Sequence, residues 1–116
     1  MTHRLRKLKA SLASFAEDRD WVQFHTPKDL DMAMTVEAAE VAEIFQWLTD
    51  AQSRRLNKSK VGALSDELAD TYIYLLRIAE HYGIDLISAA EAKIRKSARK
   101  YPVAKARGSA KKYTDL

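Results

Sequence analysis

The chain contains no cysteine, which excludes disulfides, zinc–thiolate sites and thiol nucleophiles. Three glycines and two prolines among 116 residues argue against a loop-rich, all-β or low-complexity structure. The glycines are scattered. Neither GxGxxG nor the phosphate-loop pattern ending in Gly-Lys-Ser/Thr occurs, so phosphate has no glycine-rich cradle. None of His3, His25 and His81 lies three residues after a Glu, which removes the Glu-x-x-His pairs of helical di-iron sites. No apolar run approaches the roughly 20 residues that cross a bilayer. The opening MTHRLRKLKASL is basic without a continuous apolar stretch, unlike a secretory signal. A cytoplasmic location without a membrane partner is expected.

What the chain does have is helical material. Apolar residues make up 47%, and the length suits one domain, 1–116, with one modest core. Leu5, Leu8, Leu12 and Phe15 recur at helical spacing and predict a first helix over about Arg4 to Asp18. An aromatic connector, RDWVQFHTPK, follows. Asp29 is the expected cap of a second helix, which runs to about Thr49 with Ala38, Val41, Phe45 and Leu48 inward. Asp50 to Ser59 reads as a loop. A third helix carries Val61, Leu64, Leu68, Leu75, Ala79 and Tyr82 inward and stops at Gly83. Asp85 caps a fourth, running to about Tyr101 with Leu86, Ala90, Ile94 and Ala98 inward, and the tail from Val103 is irregular. Without strand-like alternation, the expected fold is all-α, a four-helix up-down bundle.

Two pairs of acids stand three residues apart on these helices: Glu37 with Glu40 in VEAAEVAEIFQW, and Glu67 with Asp70 in SDELADTYIYLL. Three residues is close to one helical turn, so each pair shares a face. Four carboxylates gathered inside a bundle repel one another and lose hydration unless a cation compensates them. An all-oxygen donor set suits a hard ion, and Mg²⁺ is the expected one. For either pair alone, a solvated outer face is the simpler explanation. Extending the stripes weighs against it. The first continues to Ile44 and Trp47, the second to Tyr74 and Arg77, and a solvent face rarely aligns its acids with such residues.

Trp47 lies seven residues beyond Glu40, about 10 Å along a continuous helix. That span suits a nucleotide with its phosphates on metal and its base on an aromatic ring. Trp21, Phe24 and His25 supply a candidate opposing wall. Lys93, Ser97 and Lys100 align on the fourth helix, Arg77 is ambiguous, and Glu43 is an alternative to the motif carboxylates as the group that orients or deprotonates an attacking water. Between Lys93 and Lys112 there are nine basic residues and no acid. Such ends suit nucleic acid or a charged phosphate substrate, or are simply solvated.

The order ExxE, loop, ExxD on successive helices resembles the all-α nucleoside triphosphate pyrophosphatases of the MazG-like superfamily. RDWVQFHTPKDL, EVAEIFQW, DELADTYIYLL and KYPVAKARGSAKKYTDL resemble its dCTP pyrophosphatase branch, in the same order and over nearly the whole chain from Leu8. The resemblance implies a homo-oligomer, dimer or tetramer, that uses Mg²⁺ to convert a nucleoside triphosphate and water into the monophosphate and pyrophosphate. It implies metal-binding and catalytic roles for Glu37, Glu40, Glu67 and Asp70. Trp21, His25 and Trp47 then surround the base, and Tyr74 and Lys93 lie on the phosphate side. The chain departs from the pattern at Val36, where many relatives have a second acid, and at Ser97, where Asn is usual. The implied substrate is dCTP or a modified dCTP, in nucleotide-pool housecleaning, with dUTP or another nucleotide as the alternative. A non-catalytic nucleic-acid-binding module is the more distant one, disfavoured because the acidic stripes repel a phosphate backbone.

Overall fold

Five polar side chains set where the chain turns helical. Each stands just before a helix and accepts a hydrogen bond from a first-turn N–H that has no partner within the helix. In the computed structural model, which describes residues 2–116, Thr2 caps α1 (His3–Asp18) and Thr26 caps α2 (Pro27–Phe45). Thr49 caps α3 (Asp50–Ser53), Asn57 caps α4 (Lys58–His81) and Asp85 caps α5 (Leu86–Lys100). One further turn, α6 (Val103–Ala106), has no side-chain cap. Short 3₁₀ turns occupy Val22–Phe24 and Tyr113–Asp115. The described residues contain no strand and no helix long and apolar enough to cross a membrane. Met1, the first residue of the expected domain, lies outside the described residues.

The fold is all-α, as expected, but several boundaries differ from the expectation. Asp29 does not cap α2. It sits inside the first turn, donating its backbone N–H to Thr26 Oγ1 at 3.2 Å. Pro27 takes the first helical position, where its missing N–H is no loss. The helix stops at Phe45 rather than near Thr49, because Thr49 and Gln52 form a reciprocal capping box that starts a separate turn. The expected loop Asp50–Ser59 therefore holds α3 and the beginning of α4. The tail from Val103 is not irregular throughout. Tyr113 packs edge-on against Tyr101 at 5.9 Å and lies under Lys100 Nζ at 4.9 Å.

The chain forms two compact units, one ending at Tyr82 and one spanning Gly83–Leu116. In the first, α2 packs along α4, the one extensive helix–helix contact among the described residues. Leu30 near the start of α2 lines a cavity with Arg77 of α4, while Glu37 further along α2 meets Asp70 earlier on α4. The two helices are thus antiparallel. Among the described residues, the buried apolar side chains are Ala16, Leu30, Leu76 and Ala79. Of the expected inward stripes, Ala79 is buried, but Val61, Leu68, Leu75, Tyr82 and Ile94 are exposed, as are Ala38, Ala90 and Ala98. One copy of so short a chain has too few partners to cover every apolar face.

Gly83 ends α4 with φ +65°, and a Cβ placed there would meet nothing within 4 Å. A Gly83→Ala substitution therefore carries a backbone penalty without a clash. It should destabilise the protein by about 1–2 kcal/mol, and Gly83→Asn by less, as measured by urea unfolding.

Candidate metal centre and adjoining cavity

Helical spacing puts Glu37 and Glu40 on one face of α2, and Glu67 and Asp70 on one face of α4. The packing of these helices brings the two faces together. One carboxylate oxygen from each of Glu37, Glu67 and Asp70 lies within 4.8 Å of the others. Glu40 stands outside this tightest set but interacts with both Glu37 and Glu67. Oε2 of Glu37 and Oε2 of Glu67 are withdrawn from water and face no hydrogen-bond donor.

Ionised oxygens in that position have two remedies, to share a proton or to bind a cation. Proton sharing with Glu40, followed by loss of hydration, pushes Glu67 up to about 7. Glu37 is also raised, first by loss of hydration and then by Glu40. The cation is the other remedy, and the donor set fits it. Twice the usual bond length puts oxygens on opposite sides of an ion about 4.2 Å apart for Mg²⁺ and about 4.8 Å for Ca²⁺. The three oxygens lie within the longer of these spans, so they fit one divalent ion.

Asp70 also belongs to the wall of a cavity of about 320 Å³, together with Phe15, Trp21, His25, Tyr74 and Arg77. Phe15 and Trp21 meet edge-on at 5.6 Å, and Trp21 and His25 at 6.5 Å. The connector before α2 is built to hold these rings. Asp20 adopts φ 55°, and Gln23 Nε2 fastens it by donating to its carbonyl oxygen at 3.0 Å and its Oδ2 at 2.9 Å. The Trp21 N–H donates to the carbonyl of Ala16 at 2.9 Å. Arg19 lies over the Phe15 ring, 3.7 Å from its centre. Burial, then the charge of Arg77, lowers His25. Its ring is therefore neutral near pH 7, and its Nδ1 is enclosed without a partner. Burial raises Tyr74, and the charges of Glu37 and Asp70 add to this, so its phenol keeps its proton and can donate.

The sequence-predicted residues do not all gather here. Glu37, Glu40, Glu67 and Asp70 form the acidic cluster, and Trp21, His25 and Tyr74 line the cavity beside it. Trp47 is 86% exposed and does not line that cavity. The helical ruler from Glu40 to Trp47 fails because α2 has already ended at Phe45. Lys93 and Ser97 lie one turn apart on α5 in the second unit, Lys93 exposed and Ser97 half-buried. Phe15 and Arg77 are among the wall residues that the sequence did not mark as such. Phe15 passed for ordinary core in the first helix, and Arg77 was ambiguous although it continues the stripe of Glu67, Asp70 and Tyr74.

The raised acids give the metal-free protein a pH signature. Glu67 ionises near 4.5 in an unperturbed chain and near 7 when folded. Between those values the folded state holds a proton that the unfolded state has lost, so stability falls as pH rises through the window. In chelator, the melting temperature should drop between about pH 5 and about pH 7.5, and less steeply in Glu67→Gln. A divalent ion at the higher pH should restore the parent but not the variant.

Comparison with known proteins agrees with this geometry. A family model described as the MazG-like family matches residues 32–116. The chain is 41% identical to dCTP pyrophosphatase 1 of Rattus norvegicus over 114 residues, covering 97% of this chain and 67% of that protein. It is 40% identical to dCTP pyrophosphatase 1 of Homo sapiens over the same length. Among solved structures, a pyrophosphatase from Archaeoglobus fulgidus superposes with a TM-score of 0.81 at 35% identity, covering 88% of this chain and 95% of that one. With an acidic helix pair opening onto an aromatic cavity and these matches along its length, the chain belongs to the MazG-like family.

Proposed function

We propose that this protein is a cytoplasmic, Mg²⁺-dependent nucleoside triphosphate pyrophosphohydrolase that converts dCTP, or a modified dCTP, and water into the monophosphate and pyrophosphate. Residues 1–116 act as one catalytic domain; the family match at 32–116 runs across the boundary between the two compact units and supports this. One observation carries the reading. Asp70 belongs both to the carboxylate cluster and to the aromatic cavity, so a single ligand could place phosphates on one side of it and a flat base on the other. The names of the dCTP pyrophosphatase relatives support the choice of base.

Glu37, Glu67 and Asp70 would hold the ion, which when bound supplies charge withdrawal from phosphate oxygens and a more acidic water. Glu40, outside the tightest set of oxygens, takes the proton of the attacking water. The water oxygen bonds to the α-phosphorus, the bond from that phosphorus to the bridging oxygen breaks, and pyrophosphate leaves. The Tyr74 hydroxyl donates to a phosphate oxygen, and Trp21 and His25 enclose the base. Roles for Trp47 at the base and for Lys93 and Ser97 at the phosphates rest on the sequence resemblance alone.

The chain works as a homo-oligomer. On α2, Met32 and Val36 lie one turn apart and are 59% and 58% exposed, and Leu68, Tyr72 and Leu75 on α4 are exposed as well. Such faces on so short a chain call for a second copy. Light scattering at micromolar concentration should report a dimer or tetramer, and a stable monomer would count against it.

Pyrophosphate release from a panel of nucleotides, with Mg²⁺ and with chelator, tests the activity. Release from dCTP that depends on the metal is expected. Glu37→Gln, Glu67→Gln and Asp70→Asn should each lower kcat/KM at least about 100-fold, since a lost metal ligand weakens charge stabilisation by several kcal/mol, and Glu40→Gln should do the same by removing the base. Near-parental activity in three of the four would overturn the assignment.

A further inference from the structure

Arg77 is the cavity residue that neither the acidic cluster nor the aromatic wall accounts for. It lies on α4 seven residues beyond Asp70, on nearly the same face and about 10 Å along the axis. The helix is unbroken between them, so the ruler that fails for Trp47 holds here. Its side chain is only 16% exposed. Among the described residues its one ion pair is with Glu80, Nη1 to Oε2, at 3.7 Å. A guanidinium has five N–H donors and no acceptor, and that single long contact leaves most of them unused. The same cavity holds His25, whose Nδ1 has no partner.

Resting on the function proposed above, we infer that Arg77 is the specificity-determining residue for the base, donating to O2 and N3 of a cytosine while His25 Nδ1 accepts from its 4-amino group. The two side chains then present donors beside an acceptor, the complement of cytosine's edge. Uracil and thymine carry an N–H at position 3 and an oxygen at position 4. They would set donor against donor and acceptor against acceptor. A site built to hydrogen-bond one edge rejects the other because its own polar groups are left unpaired. The lowered His25 keeps its ring neutral, so that, protonated on Nε2, it still offers Nδ1 as acceptor.

The test measures kcat/KM on dCTP, dUTP and dTTP, and separately the binding of dCMP and dUMP, which needs no turnover. Arg77→Met should lower kcat/KM on dCTP by about 10- to 100-fold, the worth of a charged hydrogen bond. It should change dUTP and dTTP by no more than about threefold, so that base preference collapses. Arg77→Lys keeps the charge and stem without the fork and should fall between. Glu80→Gln should keep the parental preference. Equal losses on all three nucleotides in both Arg77 variants, or an unchanged preference, would overturn the inference. A parent that releases no pyrophosphate from any nucleotide sinks the proposed function instead. The monophosphates then decide on Arg77: tighter binding of dCMP than dUMP, lost in Arg77→Met, supports it, and no such difference ends it.

Discussion

Electrostatic repulsion between α2 and α4 is the constraint around which the first unit is arranged. The two helices carry their acids at the same level of one contact, where Glu37 and Glu67 hold oxygens away from water with no donor to meet them. Such an arrangement persists only if apolar contact elsewhere holds the helices together. That contact lies toward the other end of the pair, where Leu30, Leu76 and Ala79 are covered. The acids are thereby kept at a defined separation whether or not anything neutralises them. The helix that carries half the acids also carries Tyr74 and Arg77, one and two turns further along, so cluster and cavity wall form one rigid element.

How much of this was legible in the sequence depended on the range over which each feature is encoded. The acidic pairs were legible because a spacing of three is a property of a single helix. Their meeting could be guessed, but not measured, from the pattern. Helix ends were less legible. Thr26-Pro27 and Asp29 are both good starting chemistry for α2, and only the observed bond to Thr26 Oγ1 decides between them. Nothing in Gln46-Trp47-Leu48 forbids a continuing helix, so periodicity ran past the true end at Phe45. The apolar stripes were least informative. They mark apolar faces without saying which of them the same chain covers.

Aromatic content in a connector proved a better signal than its lack of periodicity. The stretch from Arg19 to His25 looked irregular, yet it contains a left-handed residue, a side-chain clasp from Gln23 and an edge-on ring contact to the end of α1. Each device is local, and each fixes the direction of Trp21 or His25. The basic end of the chain shows the converse. Its charge suggested a solvated tail, but Tyr113 returns to Tyr101 and Lys100 through contacts that composition alone does not announce.

The side-chain caps have a consequence for how the chain acquires its structure. Five helix starts, at Thr2, Thr26, Thr49, Asn57 and Asp85, are each secured by a residue within three positions of the bond it makes. Instructions that local can be executed in microseconds, before any distant part of the chain has been found. The acidic contact between α2 and α4 must wait for slower encounters. Refolding should therefore divide in time, with helicity recovered early at a rate indifferent to dilution. The fluorescence of Trp21, whose surroundings depend on packing between elements, follows later.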